Sequence, residues 1–253
     1  MGTILISGAT GGIGTALTAE LAGAGHDVTG LCRDQGGRAM LEAIGARGVV
    51  ADLSDPARLA ASLPGTGGPE GGLDALVHCA GVADIDTVAD ATTASWQRVL
   101  TINVAAAAEL TRLMLPALRR AQGHVVFVNA TPGMRAVPRW PAFVASKAAL
   151  RELANALRAE EQGHRVRVTT VYPAATATEQ LRSIRGAFGR PYDPELCIQP
   201  RSLASMIAWV LAAPPDAYPS ELSVLPGPHP EQAGRPSGRR CARASPRVRR
   251  PPR

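Results

Sequence analysis

A short strand that runs into a glycine-rich turn and straight on into a helix leaves this chain few folds to choose from. Thr3-Ile4-Leu5-Ile6-Ser7 is an apolar, β-branched run, followed at once by Gly8-Ala9-Thr10-Gly11-Gly12-Ile13-Gly14 and a helical pattern to Gly23. Glycine has no Cβ to keep backbone amides from closing round a bound group, or the helix from starting beneath it. A helix N-terminus reached in this way favours an anion, a pyrophosphate above all. Such a turn is weak evidence alone, because many tight turns use glycine. Its position between a strand and a helix is what gives it weight.

The alternation then repeats. Strands are expected near Thr3–Ser7, Asp27–Leu31, Gly48–Ala51, Ala75–His78, His124–Asn129, Arg165–Tyr172 and Glu221–Leu225. Helical patterns fall near Ile13–Gly23, Gly37–Ile44, Pro56–Ser62, Ala94–Arg120, Ala142–Gln162 and Ser202–Ala212. Repeated βαβ units predict an α/β fold, a Rossmann-type doubly wound three-layer sandwich of about seven parallel strands. Residues 1–227 would form this single domain. Pro64–Gly72 reads as a loop, and Glu179–Pro200 breaks the alternation. Leu181, Ile184, Phe188 and Tyr192 in that break suit a mobile lid over an apolar or mixed ligand.

The net charge of +6 belongs to one end of the chain. Pro228–Arg253 holds eight Arg and one Glu, a local +7, so the remainder carries −1. That segment has almost nothing apolar to bury and reads as a disordered tail. Nucleic acid is not an expected partner beyond non-specific contact by this tail. No apolar run approaches the roughly 20 residues of a membrane span, and the N-terminus lacks a basic, cleavable leader. Four scattered cysteines suit a reducing cytoplasm, and neither they nor the histidines have metal-ligand spacing. Of 27 basic residues only Lys147 is lysine. A chain that otherwise uses arginine everywhere keeps a compact ammonium at one place.

Further matches extend the pattern. Gly8, Gly12 and Gly14, with Ile13 between the last two, resemble the glycine pattern of the short-chain dehydrogenase/reductase family, and Thr10 lies within the same turn. Asp52-Leu53 resembles its adenine-contacting pair, and His78-Cys79-Ala80-Gly81 its Asn-Asn-Ala-Gly turn with both Asn replaced. Asn103 falls at the active-site Asn. Pro173, Thr176 and Thr178 lie in a stretch similar to the loop beside the nicotinamide. The resemblance covers about Thr3 to Pro226. It implies a nicotinamide dinucleotide cofactor, a small-molecule substrate, and a homodimer or homotetramer paired through the helices 94–120 and 142–162. At the end of the second strand, Arg33 stands where a guanidinium could grip a 2′-phosphate bidentately, which favours NADP(H) over NAD(H). Asp34, its neighbour, should face elsewhere.

The family's chemistry needs a Tyr four residues before a Lys on one helix face, and a Ser about thirteen residues earlier. Lys147 is present, but Phe143 occupies the Tyr position and Ala130 the Ser position. Asn103 and Lys147 therefore remain of the four. Several readings stay open. The chain is a reductase with a relocated proton donor (Thr131, Asn129, Tyr172 or a Lys147-bound water), a non-redox enzyme in the same pocket, or a catalytically silent dinucleotide-binding partner. Engineered inactivation is a fourth, although Asn129 and Pro132 also depart from the usual local sequence, which points to divergence.

Overall fold

The structure is a computed structural model and describes residues 2–63, 71–131 and 137–228. All but the first residue of the expected tail, most of the loop after Leu63, and Pro132 lie outside the described residues.

Seven strands form one sheet: β1 (Thr3–Ser7), β2 (Asp27–Cys32), β3 (Arg47–Val50), β4 (Ala75–His78), β5 (His124–Val128), β6 (Arg167–Pro173) and β7 (Glu221–Val224). All pairings are parallel, in the order β3-β2-β1-β4-β5-β6-β7. The order reverses between β1 and β4. In open sheets of this kind the crevice outside the strands' carboxyl ends at such a switch point is where ligands bind. Ser7 pairs with His78 and His78 with Phe127, so β1, β4 and β5 end level with one another at that crevice.

Period-two alternation sorts side chains to the two faces. Ile4, Ile6, Val77, Val126 and Val128 join the core beneath α1 (Gly12–Gly23) and α8 (Pro200–Leu211), through Leu17, Leu21, Leu203 and Ile207. Leu5, Leu76, Val125 and Phe127 meet Leu110, Met114, Leu118, Leu150 and Leu157 of α5 (Ala106–Ala121) and α6 (Pro141–Glu160) on the other face. Helices on both faces explain why the strands read as nearly continuous apolar runs. The remaining helices are α2 (Gln35–Ala43), α3 (Leu59–Ser62), α4 (Thr93–Leu100) and α7 (Glu179–Ala187).

The sequence expectations hold for every strand to within two residues. Two features differ. The expected single helix 94–120 is interrupted by a π turn, Thr101–Ala105, which inserts one residue and rotates Asn103 inward. The expected lid contains a helix, α7, because Thr178 caps it by accepting from Leu181 N–H. Leu181, Ile184 and Phe188 fall at i, i+3 and i+7, a helical spacing that the reading of this stretch as a break in the alternation passed over. The rod Thr93–Ala121 is long and apolar enough to cross a membrane by length and composition alone. Its apolar face is occupied, with Leu110, Met114 and Leu118 buried in the core.

A buried carboxylate ties α5 to α6. Glu161, 3% exposed at its side chain, accepts from Arg119 Nε and Nη2 at 2.8 and 2.7 Å. Arg119 holds the Glu161 carboxyl below its ordinary 4.5, so the pair's contribution is full above that value and is lost as pH falls beneath it. Removing one partner of a fully buried pair costs about 3–5 kcal/mol, and the partial exposure of Arg119 reduces this to about 2. Urea melts should therefore show Arg119→Met destabilised by about 2 kcal/mol at neutral pH. That gap should narrow as the buffer is taken below pH 4.5.

Candidate active site

The glycine turn is built by contact, not by flexibility. Gly8 has φ +67°, and a Cβ there would lie 2.6 Å from the backbone of Ala80. A Cβ on Gly14 would lie 2.1 Å from the Gly8 carbonyl oxygen. The turn after β1 thus packs directly on the turn after β4, with Cys79 N–H donating to Ser7 O across the gap. Gly12 is exposed and faces the Thr178 methyl, where a Cβ would come within 2.8 Å. The helix N-termini of α1 and α7 therefore meet over the same spot, a location that favours a pyrophosphate. Ile13 anchors α1 in the core below, and Thr10 lies against α2 beside Gly37.

Arg33 is exposed at the end of β2. Asp34 turns away, as expected, its carboxylate capping α2 by accepting from Gly37 N–H at 2.8 Å. Asp52 accepts from Ser54 N–H at 2.8 Å. Its carboxyl is held below the ordinary range first by the hydrogen bonds from Ser54 and to a lesser extent by the charge of Arg33. Leu53 is half-buried against the α5 side of the core. Pro173 ends β6, and Thr176, buried, forms a bridge to Ile198 that carries the chain from β6 toward Thr178.

Lys147 is the centre of the other half. It is 9% exposed, and its Nζ donates to Val128 O at 3.1 Å and lies 5.7 Å from the Phe143 ring centroid. Burial lowers its pKa from 10.5 to about 8; the adjacent Cys79, its own thiol pushed up to about 12 by burial, opposes this slightly. Gly81 leaves the approach clear, since a Cβ there would be 3.6 Å from both Lys147 Nζ and Asn103 Oδ1. Ala80 and Gly81 are thus where the two halves of the site join.

Asn103 is wholly engaged. Its Oδ1 accepts from Val82 N–H at 2.8 Å, and its Nδ2 donates to Val82 O and to Ser146 Oγ, both at 2.9 Å. Ser146 in turn donates to Phe143 O at 2.7 Å. Asn129 donates to Lys147 O at 3.1 Å, and its own Oδ1 accepts from Ala130 N–H. These bonds clamp α6 to β5 and to the turn after β4. Ser146 was not singled out from sequence, and its place beside Lys147 was the only available hint. Thr131 donates to Pro173 O, and Tyr172 donates to Glu221 at the far strand of the sheet.

His78 is not an acid or base. Burial drives its pKa to about 3, and its ring stacks on Phe127 at 4.8 Å. Its Nε2 meets Thr111 Oγ1 at 2.9 Å; since that hydroxyl donates to Ala107 O, the imidazole proton is assigned to Nε2. Among the described residues no group of three or more His, Cys, Asp or Glu gathers to hold a metal.

A parallel sheet with a glycine turn at its switch point, and a buried lysine and asparagine beside the adjoining turn after β4, defines a doubly wound α/β protein of the Rossmann type. Comparison with known proteins makes the class specific. The short chain dehydrogenase profile matches residues 2–187, and the chain belongs to that family. It is 31% identical to the uncharacterized short-chain type dehydrogenase/reductase y4eK of Sinorhizobium fredii, over 88% of this chain and 90% of that one. It is 30% identical to the inactive 2-(S)-hydroxypropyl-CoM dehydrogenase 2 of Xanthobacter autotrophicus, over 70% and 76% respectively. A metagenomic short-chain oxidoreductase in complex with NADP superposes with a TM-score of 0.70 at 26% identity, covering 89% of this chain and 97% of that one.

Two glycines on one helix separate the turn's role from general stability. Gly14→Ala should abolish dinucleotide binding and lower the melting temperature, because its methyl has no room beside Gly8 O. Gly23→Ala, with nothing within 4 Å of its Cβ, should leave binding unchanged and the fold no weaker.

Proposed function

We propose that this chain is an NADP(H)-dependent reductase of a carbonyl group on a small organic molecule, in which Lys147 supplies the proton through a bound water. The observation that carries the reading is the state of Lys147: buried, with a pKa of about 8, and with no hydroxyl on Phe143 between it and the crevice. A bound nicotinamide dinucleotide would supply the hydride to the carbonyl carbon. Lys147, protonated, gives a proton by way of a water to the carbonyl oxygen, leaving an alcohol, and regains its proton from solvent. Asn103 and Ser146 position the helix that carries it. The other donor candidates are less suited, because Asn129, Thr131 and Tyr172 are held in internal hydrogen bonds.

Gly8, Thr10, Gly12, Ile13 and Gly14 would take the pyrophosphate, Asp52 and Leu53 the adenine, and Ala80, Gly81, Pro173, Thr176 and Thr178 the nicotinamide half. Arg33, exposed beside a carboxylate turned elsewhere, favours the 2′-phosphate of NADP(H). The same reading makes residues 1–227 one domain with a lid at 179–200. It places the protein in the cytoplasm, as a homodimer or homotetramer through α5 and α6. Cys32, Cys79 and Cys197, all unpaired, suit that compartment.

A silent dinucleotide-binding partner is the second reading, favoured by the Trp140 ring that lies flat on Phe143 at 4.4 Å and by the relative named as inactive.

Fluorescence titration should give markedly tighter binding of NADPH than of NADH, with Arg33→Ser narrowing the difference. Ketone reduction should fall as pH rises through about 8, because the ammonium is the competent form. Lys147→Met should lower it by about 10²–10⁴. NADPH binding without turnover of any ketone or aldehyde would leave the partner reading.

A further inference from the structure

From Lys147 a row of aromatic rings leads out to solvent. Phe143, 7% exposed, stacks on Trp140 with the rings inclined by 11°, and Trp140 meets the edge of Phe188 at 5.8 Å and 72°. Phe188 directly follows α7, so the row joins the start of α6 to the end of the lid helix. Two guanidinium groups close its outer end. Arg139 lies 5.4 Å and Arg190 5.3 Å from the centroid of the same Phe188 ring.

The two cations are placed there at a cost. Arg139 holds a left-handed backbone, φ +63°, which a residue with a side chain adopts only when its surroundings require it. Like charges sharing one ring repel, and among the described residues neither has a carboxylate within 4.0 Å. Of the acidic side chains nearby in sequence, Glu179 lies 3.5 Å from Arg182, and Asp193 accepts from Glu195 N–H. Among the described residues Arg139 makes one side-chain hydrogen bond, to Ala187 O at 3.1 Å, which uses one of its five N–H donors.

The geometry points to a substrate that is an anionic amphiphile: a carbonyl compound whose apolar or aromatic body lies along Trp140, Phe143 and Phe188, with an oxyanion held by Arg139 and Arg190. Guanidinium forks bind carboxylates and phosphates through paired charge-assisted bonds. The body's contact with the rings sets the length between carbonyl and anion. This substrate class rests on the assignment of Lys147 and Phe143 as the reacting end, and equilibrium binding tests it without turnover.

Isothermal titration of the full chain, saturated with NADPH, would use 3-phenylpropanoate and its uncharged amide, with phenyl phosphate against phenol as a second pair. The carboxylate should bind about tenfold more tightly than the amide, a difference of about 1.4 kcal/mol. This preference should shrink as salt is raised from about 0.05 M to about 0.5 M. Arg190→Met and Arg139→Met should each erase most of it, and Arg190→Lys should keep part, with NADPH affinity and melting temperature unchanged. Preference in the phosphate pair alone would assign the oxyanion to a phosphate ester. Equal affinity within both pairs, or a preference that survives both Met substitutions, overturns the inference. Failure of NADPH to bind at all, with the acid–amide preference intact, would instead count against the reductase reading.

Discussion

An ammonium group kept almost wholly out of water is the constraint around which the site is organised. Burying a charge is unfavourable unless it is hydrogen-bonded, and here desolvation draws the pKa of Lys147 down to about 8. One carbonyl, that of Val128, accepts from it, so the end of β5 and the second turn of α6 must stay in register to within a hydrogen bond. The Asn103–Ser146–Phe143 chain and the Asn129–Lys147 bond hold that register from two sides. The π turn belongs to the same arrangement: it lets a long helix bury an asparagine without unwinding.

The glycine-turn half obeys a different rule, of steric clearance. Gly14 against Gly8 O, Gly8 against Ala80 and Gly12 against Thr178 are all contacts in which a methyl group is too much. Three chain segments distant in sequence converge there because β1 and β4 are neighbours across the reversal of strand order. The anion-favouring ends of α1 and α7 then face one crevice. This half carries the glycine pattern, and the short chain dehydrogenase profile matches residues 2–187 around it.

At that other half Phe143 and Ala130 carry no hydroxyl, and the polar contacts are made by Asn103, Asn129, Ser146 and Lys147. Phe143 is the inner end of an aromatic row through Trp140 to Phe188, with Arg139 and Arg190 against the Phe188 ring. The end of α7 is joined to the start of α6 by ring contacts and an arginine-to-carbonyl bond.

The strands, the glycine turn and the helices that flank it were legible in the residues, because two-residue and 3.6-residue periodicities and the absence of Cβ atoms are local properties. Lys147 could be picked out by its rarity and Arg33 by its place at the end of the second strand, while Asn103 and the absence of a hydroxyl at position 143 were picked out by the family resemblance. Three things were not: the π turn at Thr101–Ala105, the helix inside the lid, and the meeting of Phe188 with Trp140. Each depends on an interaction between segments far apart in the chain, or on a cap whose effect packing must confirm. The same holds for the lowered pKa of Lys147. A sequence states which groups can ionise or stack, but burial and neighbours are set only when distant strands and helices close around them.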